Sequence, residues 1–255
     1  MTVDQGTPYH ADGSIFGKAR RRLSRLAHRR PIPIAPPRAM LSISFDDAPL
    51  TATNLGADIL EAHGIKGTFY AAAGLSGKTE PMGTCADQED YVRLAGRGHE
   101  IACHTYSHLD CGRASAEAAR GDVERNASRF LAWGLPMPQS FAYPFGDVSP
   151  RTKSALAPEF TSLRGLHKGL IGRGTDLNQL PAVGMEGQTG EAMARSWLTR
   201  ARSGSAWLIL YTHDVQSQPS PWGCTPEALD RLLTDAMAME FEILTVRDAV
   251  ARLTG

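Results

Sequence analysis

Two adjacent carboxylates, Asp46 and Asp47, close an apolar run, and two histidines, His104 and His108, follow four residues apart. Two imidazoles and one carboxylate, with a position left for water, have the composition of a catalytic rather than a structural zinc site. The second carboxylate is then available to take a proton from an activated water. Side chains alternate along a strand, so both acids cannot bind one ion while the chain stays extended. One ligates and the other faces the water. If 104–108 forms a helical turn, the i, i+4 pair puts both imidazoles on one face. Such a donor set suits Zn2+, with Co2+, Ni2+ or Mn2+ as alternatives. A closed Cys2His2 site built from Cys103, His104, His108 and Cys111 is the rival arrangement. It lacks the separated ligand pairs of a zinc finger, and Cys103 and His104 diverge as strand neighbours.

Other polar groups fall at comparable places. His213 follows the apolar run 206–211 and is positioned to protonate a leaving group, with Asp214 or Asp176 as the acids that could orient it. Tyr143-Pro144-Phe145-Gly146 predicts a rigid turn whose backbone N–H groups face an oxyanion. Trp222, in the loop after His213, is a candidate stacking platform for a ligand.

The elements that must position these groups read as alternating short apolar runs and amphipathic stretches. Strands are expected at 40–45, 65–72, 99–103, 140–143, 160–163, 180–183, 206–211 and 241–246. Helices are expected at 51–63, 88–97, 115–133 and 225–239. Strand–helix alternation predicts a parallel sheet with helices outside, and about seven units favour a distorted (β/α) barrel, TIM-barrel-like, over an open sheet. The Asp pair, His104, the 143–146 turn and His213 would then all sit at carboxyl ends of strands, on one mouth.

The formal charge of zero conceals an asymmetry: residues 1–38 carry eight Lys or Arg against Asp4 and Asp12. Residues 18–30 hold seven of these cations and no acid, with Leu23 and Leu26 three apart, which predicts a short basic helix ended by Pro31, Pro33, Pro36 and Pro37. The domain reading is a basic, Pro-rich extension, 1–38, and a body, 39–255. The simplest expectation for the extension is a solvated leader; peripheral contact with an anionic membrane through 18–30 is the functional alternative. No nucleic-acid partner is expected, and oligomerisation stays open. No run is long and apolar enough for a transmembrane helix, and no signal-peptide core is legible. With four cysteines and no compact framework, a cytoplasmic protein with reduced thiols is expected, placed at the inner membrane face if 18–30 contacts lipid.

Taken together, these motifs resemble those of the polysaccharide deacetylases with the NodB-homology domain, carbohydrate esterase family four. Ser44-Phe45-Asp46-Asp47 is similar to that family's first motif, and His104-Thr105-Tyr106-Ser107-His108 to its second. Phe141-Ala142-Tyr143-Pro144-Phe145-Gly146 is similar to the third, and Leu208 to Asp214 to the last. The resemblance implies a distorted barrel and N-deacetylation of an amino sugar. It makes Asp46 the general base, Asp47, His104 and His108 the metal ligands, and His213 the general acid. It gives Phe145 a backbone N–H directed at the amide oxygen.

Three departures stand out. Ala142 occupies a position where many members carry the arginine that orients the base. The fourth motif, an acidic stretch with Trp, has only 176–181 as a candidate. Tyr211 replaces an apolar residue.

The expected substrate is an N-acetylated oligo- or polysaccharide, on these grounds an exopolysaccharide or holdfast-type precursor carried on a lipid. Alternatives are a hydrolase of a small non-sugar amide on the same fold, or a catalytically silent glycan-binding module.

Overall fold

The computed structural model describes residues 14–255, so the first part of the extension lies outside the described residues. In chain order the elements begin with α1 (Ile15–Leu26), β1 (Met40–Asp46), α2 (Ala57–Ala62, entered through a π turn at Ala52–Gly56) and β2 (Thr68–Ala71). A small hairpin of β3 (Thr79–Glu80) and β4 (Gly83–Thr84) precedes α3 (Gln88–Gly96), β5 (Glu100–Cys103) and α4 (Ala116–Ala132). Then come β6 (Ser140–Ala142), α5 (Pro150–Leu156), β7 (Ser162–Arg164), β8 (Val183–Gly184) and α6 (Gly190–Ser203). The chain closes with β9 (Trp207–Thr212), α7 (Pro226–Ala238), β10 (Glu242–Ile243) and α8 (Val246–Thr254).

The main sheet is parallel, in the order β7-β6-β5-β2-β1-β9-β8. β10 pairs Met40 and Leu41 of β1, whereas β2 pairs Ser44 to Asp46. The sheet curls until one segment touches both of its ends. Leu180 bridges Arg164 in parallel, and Val183 pairs with Leu210. The result is the expected distorted barrel.

Alternation along β1 sorts its side chains. Leu41, Ile43 and Phe45 pack outward with Leu60, Leu208, Leu210, Leu229 and Leu233 into the main core beneath the helices. Met40, on the alternate register, joins Trp207, Ile209 and Tyr211 in a second cluster, while Ser42 accepts from Trp207 Nε1 and Ser44 donates to Leu210 O. Asp46 is the last residue of that second register.

Helix starts follow local chemistry: Ser115, Ser149, Thr225 and Thr245 each accept from a backbone N–H of the first turn, and Pro150 and Pro226 stand at the start of α5 and α7.

Several expectations need correction. The strand read at 160–163 runs Ser162–Arg164 instead, one residue past the apolar stretch. α5 and α6, both amphipathic but rich in small and charged residues, were absent from the sequence reading. The solvated-leader expectation also fails for the described part of the extension. Ser24 is buried and donates to Val148 O, Arg20 pairs with Asp147, and Ile32 N donates to Thr175 O. The apolar stretch there is too short to advertise a core: the contacts that hold α1 are polar, and among the described residues there Ile32 alone joins the second apolar cluster.

Candidate active site

A cavity of about 480 Å³ opens at the carboxyl ends of the strands. Its walls include Asp46, Asp47, His104, His108, Phe145, Glu186, Tyr211, His213 and Trp222, and the tip of the β3–β4 hairpin, Pro81 and Met82, overhangs it. Tyr143 and Pro144 are not among its walls. Tyr143 is buried beside Phe141 and donates its hydroxyl to Asn178 O at 3.1 Å, so its side chain supports the turn rather than contacting a ligand.

Asp47 takes φ 56° immediately after β1, so the chain leaves the extended register there and both acids line the cavity. The donor atoms of Asp47, His104 and His108 lie within 4.8 Å of one another, with Asp47 Oδ1 3.8 Å from His104 Nε2 and 3.5 Å from His108 Nε2. The 104–108 segment is not the helical turn expected from the spacing. Thr105 and His108 both adopt positive φ, at 59° and 56°, and this left-handed loop brings the rings to 5.0 Å. Asp122 on α4 holds the loop, accepting from the backbone N–H of Tyr106 and of Ser107, each at 2.9 Å. Left-handed, non-glycine backbone at Asp47, Ala48, Thr105, His108 and Phe145 gathers around one mouth, as strain retained by surrounding structure does.

Three observations test whether this triad fits a divalent cation. Asp47 Oδ1 is buried and accepts no hydrogen bond, an orphan that a cation would satisfy. His104 Nδ1 is 2.8 Å from Ala142 O, which fixes the tautomer and leaves Nε2 as donor atom toward the triad. Burial pushes His104 down to about 4, against the attraction of Asp47, so it is neutral near pH 7. The residues fit. Cys103 and Cys111 do not join them: Cys103 Sγ accepts from Asn126 Nδ2 at 3.2 Å, and burial raises the Cys103 thiol to about 12.

Asp46 lies in different surroundings. Its Oδ1 accepts from Arg164 Nη2 at 2.5 Å, and the guanidinium stands over the rings of Tyr70 (4.7 Å) and Tyr211 (5.2 Å). Burial alone would raise the Asp46 carboxyl; the Arg164 charge, helped by His104 and His213, holds it below the ordinary carboxylate range. Arg164 is the register partner of Ala142 across β6 and β7. The guanidinium missing at Ala142 is therefore supplied by the neighbouring strand. The sequence reading missed it because the expected strand stopped at Leu163. The available signal was a lone arginine ending an apolar strand, where a buried charge demands a partner.

His213 has a second unforeseen partner. Neither candidate acid orients it: Asp214 is occupied by Gln216 and Ser220, and Asp176 lies under α1, bound by Lys153. Glu186 Oε1 is instead 3.0 Å from His213 Nδ1. Burial works against a charged His213, but this bond and the charges of Asp46, Glu186 and Asp47 prevail and raise it to about 9. A Cβ at Gly184 would stand 2.7 Å from Glu186 Oε2 and 3.0 Å from the Tyr211 hydroxyl, so glycine there permits both polar groups to approach. Glu186 lies three residues beyond the expected 180–183 strand, with no motif around it in the sequence.

Comparison with known proteins agrees with this geometry. Residues 34–158 match the polysaccharide deacetylase family. A bifunctional xylanase/deacetylase of Pseudobutyrivibrio xylanivorans is 30% identical over 89 residues, 35% of this chain and 14% of that protein. A chitin deacetylase of Pestalotiopsis sp. is 36% identical over 70 residues, 27% of this chain and 22% of that protein. The chain thus spans less than a quarter of the length of these curated relatives. A family 4 acetyl xylan esterase from Clostridium thermocellum, solved in complex with a cobalt ion, has a TM-score of 0.62. It is 21% identical, covers 83% of this chain and 90% of its own, and so speaks to the fold. The segment that matches the polysaccharide deacetylase family holds Asp46, Asp47, His104, His108 and the 143–146 turn.

Proposed function

We propose that this protein is a metal-dependent N-deacetylase that releases acetate from N-acetylated amino sugars of a poly- or oligosaccharide. The observation that carries the reading is a carboxylate kept ionised by Arg164 and an imidazole kept protonated by Glu186, both facing the cavity that holds the Asp47–His104–His108 triad. Catalysis is assigned to residues 39–255, with 1–38 as an extension.

Asp47, His104 and His108 would hold a divalent cation, Zn2+ by preference with Co2+, Ni2+ or Mn2+ as substitutes, which supplies Lewis acidity toward the amide carbonyl and toward water. Asp46, ionised and held by Arg164, accepts the proton of the attacking water as its oxygen bonds to the acetyl carbon. His213 donates its proton to the sugar nitrogen as the C–N bond breaks, so acetate and an amine leave together. Phe145, at the cavity wall, offers its backbone N–H to the amide oxygen, and Trp222 offers a ring face to the sugar.

The finer reading is a bacterial exopolysaccharide precursor carried on a lipid and modified at the cytoplasmic membrane face. The basic segment 18–30 supports it, since peripheral contact with anionic lipid would keep such a substrate within reach. Among the described residues no helix is long and apolar enough to cross a membrane.

The test is acetate release from defined N-acetylglucosamine oligomers with and without chelator, beside Asp46→Asn. Release that stops with chelator and in the variant is expected. Chelator-insensitive release, or full activity in Asp46→Asn, defeats the mechanism. Turnover of small amides with none of acetylated oligomers moves the assignment to a non-sugar amide. Metal binding without turnover of either leaves a glycan-binding module.

A further inference from the structure

The helix α1 has three distinct sides. Gly17, Arg20 and Ser24 face the body, where Arg20 Nη2 meets Asp147 Oδ2 at 2.6 Å, Ser24 donates to Val148 O at 2.7 Å, and Lys153 Nζ reaches Ser24 O at 2.7 Å. With about 3.6 residues per turn, Lys18, Arg21, Arg22 and Arg25 form a cationic flank beside that face. Ile15, Phe16, Leu23 and Leu26 form the remaining side. These four are 83%, 85%, 57% and 66% exposed, while the other exposed large apolar side chains are spread over the loop at Ile34 and several different elements. A docked helix whose polar side meets the body and whose apolar side meets solvent is inverted relative to a helix recruited to a core. An apolar ridge edged by Lys and Arg is the composition of a helix that lies in a bilayer interface.

Beside the cationic flank is a second cavity, of about 420 Å³, whose walls include Arg25, Arg29, Arg173, His167 and Thr175. Arg25 and Arg173 have no carboxylate partner among the described residues, and Arg29 spends one N–H on Gly174 O. Asp176 also lines it, but its oxygens are taken by Lys153 Nζ, Arg30 N and Asn178 N. A cavity of this size rimmed by three guanidiniums suits the geometry of a phosphate group. It shares its wall with the catalytic mouth: Leu166 lines the catalytic cavity and His167 the basic one, and Leu166 packs on Gly146. Asp147, which anchors α1, follows Gly146 directly. The helix is therefore anchored two residues from Phe145, which lines the catalytic mouth.

We propose that α1 docks the protein on an anionic phospholipid bilayer. Its ridge of Ile15, Phe16, Leu23 and Leu26 enters the headgroup–acyl boundary, and a lipid phosphate is seated among Arg25, Arg29 and Arg173, which holds the catalytic mouth beside the membrane. The inference deepens the membrane contact of the proposed function and does not depend on which bond the active site cleaves.

The experiment is co-sedimentation of the full chain with vesicles of phosphatidylcholine alone and of equal phosphatidylcholine and phosphatidylglycerol. Binding to the anionic vesicles, weakening with added salt, is expected. The double variant Phe16→Glu/Leu23→Glu should lower partitioning at least tenfold. Arg25→Ala/Arg173→Ala should lower it about tenfold. All substitutions are at exposed side chains, and unchanged melting curves verify folding. Equal binding to both vesicle types, or variants that partition like the parent, overturns the proposal. If Arg25→Ala/Arg173→Ala abolishes calorimetric binding of inorganic phosphate but leaves vesicle binding intact, the pocket serves a free phosphate and the lipid assignment fails. A dimer in light scattering that Phe16→Glu/Leu23→Glu dissolves would assign the ridge to a second copy of this chain instead. Acetate release from soluble oligomers should be unaffected in every variant; its absence in the parent would count against the deacetylase reading and leave the vesicle result standing.

Discussion

Asp46 and Asp47 are neighbours in sequence at one strand end, yet each belongs to a different half of the mouth. The Asp47 half is assembled from the residue after β1 and the loop after β5, with its three donors in two short motifs, and a carboxylate oxygen there accepts no hydrogen bond. The Asp46 half is assembled from the ends of β1 and β7 and from residues just past β8 and β9, and every charge in it is answered: Asp46 by Arg164, His213 by Glu186. One half leaves a place that a cation from outside the chain would fill. The other is completed by the chain itself, in widely separated segments. The lesson is that a buried charge can be answered from the neighbouring strand: the guanidinium expected at position 142 comes from its register partner, Arg164.

Substitutions at the two acids should divide the halves most sharply. Asp47→Ala is expected to empty the metal site, seen as loss of bound metal by elemental analysis, with activity lost along with it. Asp46→Asn should retain stoichiometric metal while kcat falls about a thousandfold. Identical metal loss in both variants would break the comparison.

The next effect concerns Arg164. Arg164→Ala leaves the buried Asp46 charge unpaired, at a cost of about 3–5 kcal/mol in unfolding free energy, with a fall in kcat. Because residues 142 and 164 are register partners, Ala142→Arg in the Arg164→Ala background should recover at least part of both losses. Denaturant midpoints and acetate release read the two separately, and a double variant no better than the single one would show that the register argument is mistaken.

A smaller, pH-shaped effect is expected at Glu186. His213 is protonated below about 9, so its capacity as an acid is present at neutral pH and is lost as pH rises through that value. Glu186→Gln removes the bond and one negative charge, which moves the alkaline limb of kcat to lower pH while metal content stays constant. An unmoved limb would take His213 out of the acid's role.

The smallest effect belongs to Tyr143, close in sequence to the cavity but outside it. Tyr143→Phe should cost about 1 kcal/mol for the bond to Asn178 O, seen in the urea midpoint, with kcat unchanged.

The legible part of this molecule was local. Strong apolar runs at 40–45 and 206–211 became β1 and β9 nearly as read, because a strand buried on both faces is apolar along its whole length. The weak strands, β7 and β8, are two or three residues long, and their important residues, Arg164 and Glu186, lie at or past their ends. Periodicity has nothing to count there. The i, i+4 spacing of His104 and His108 suggested a helical turn, but the paired imidazoles come from a left-handed loop held by Asp122, a contact with α4 that spacing cannot express.

The sequence alone determined the barrel class and brought forward the two acids, the paired histidines and the terminal histidine, since each sits beside an apolar run or within a short motif. Only tertiary structure decided which groups hold Asp46 and His213, and which side of α1 faces out. Those choices depend on strand register and on a helix docked by polar contacts, and both bring together residues that are remote along the chain.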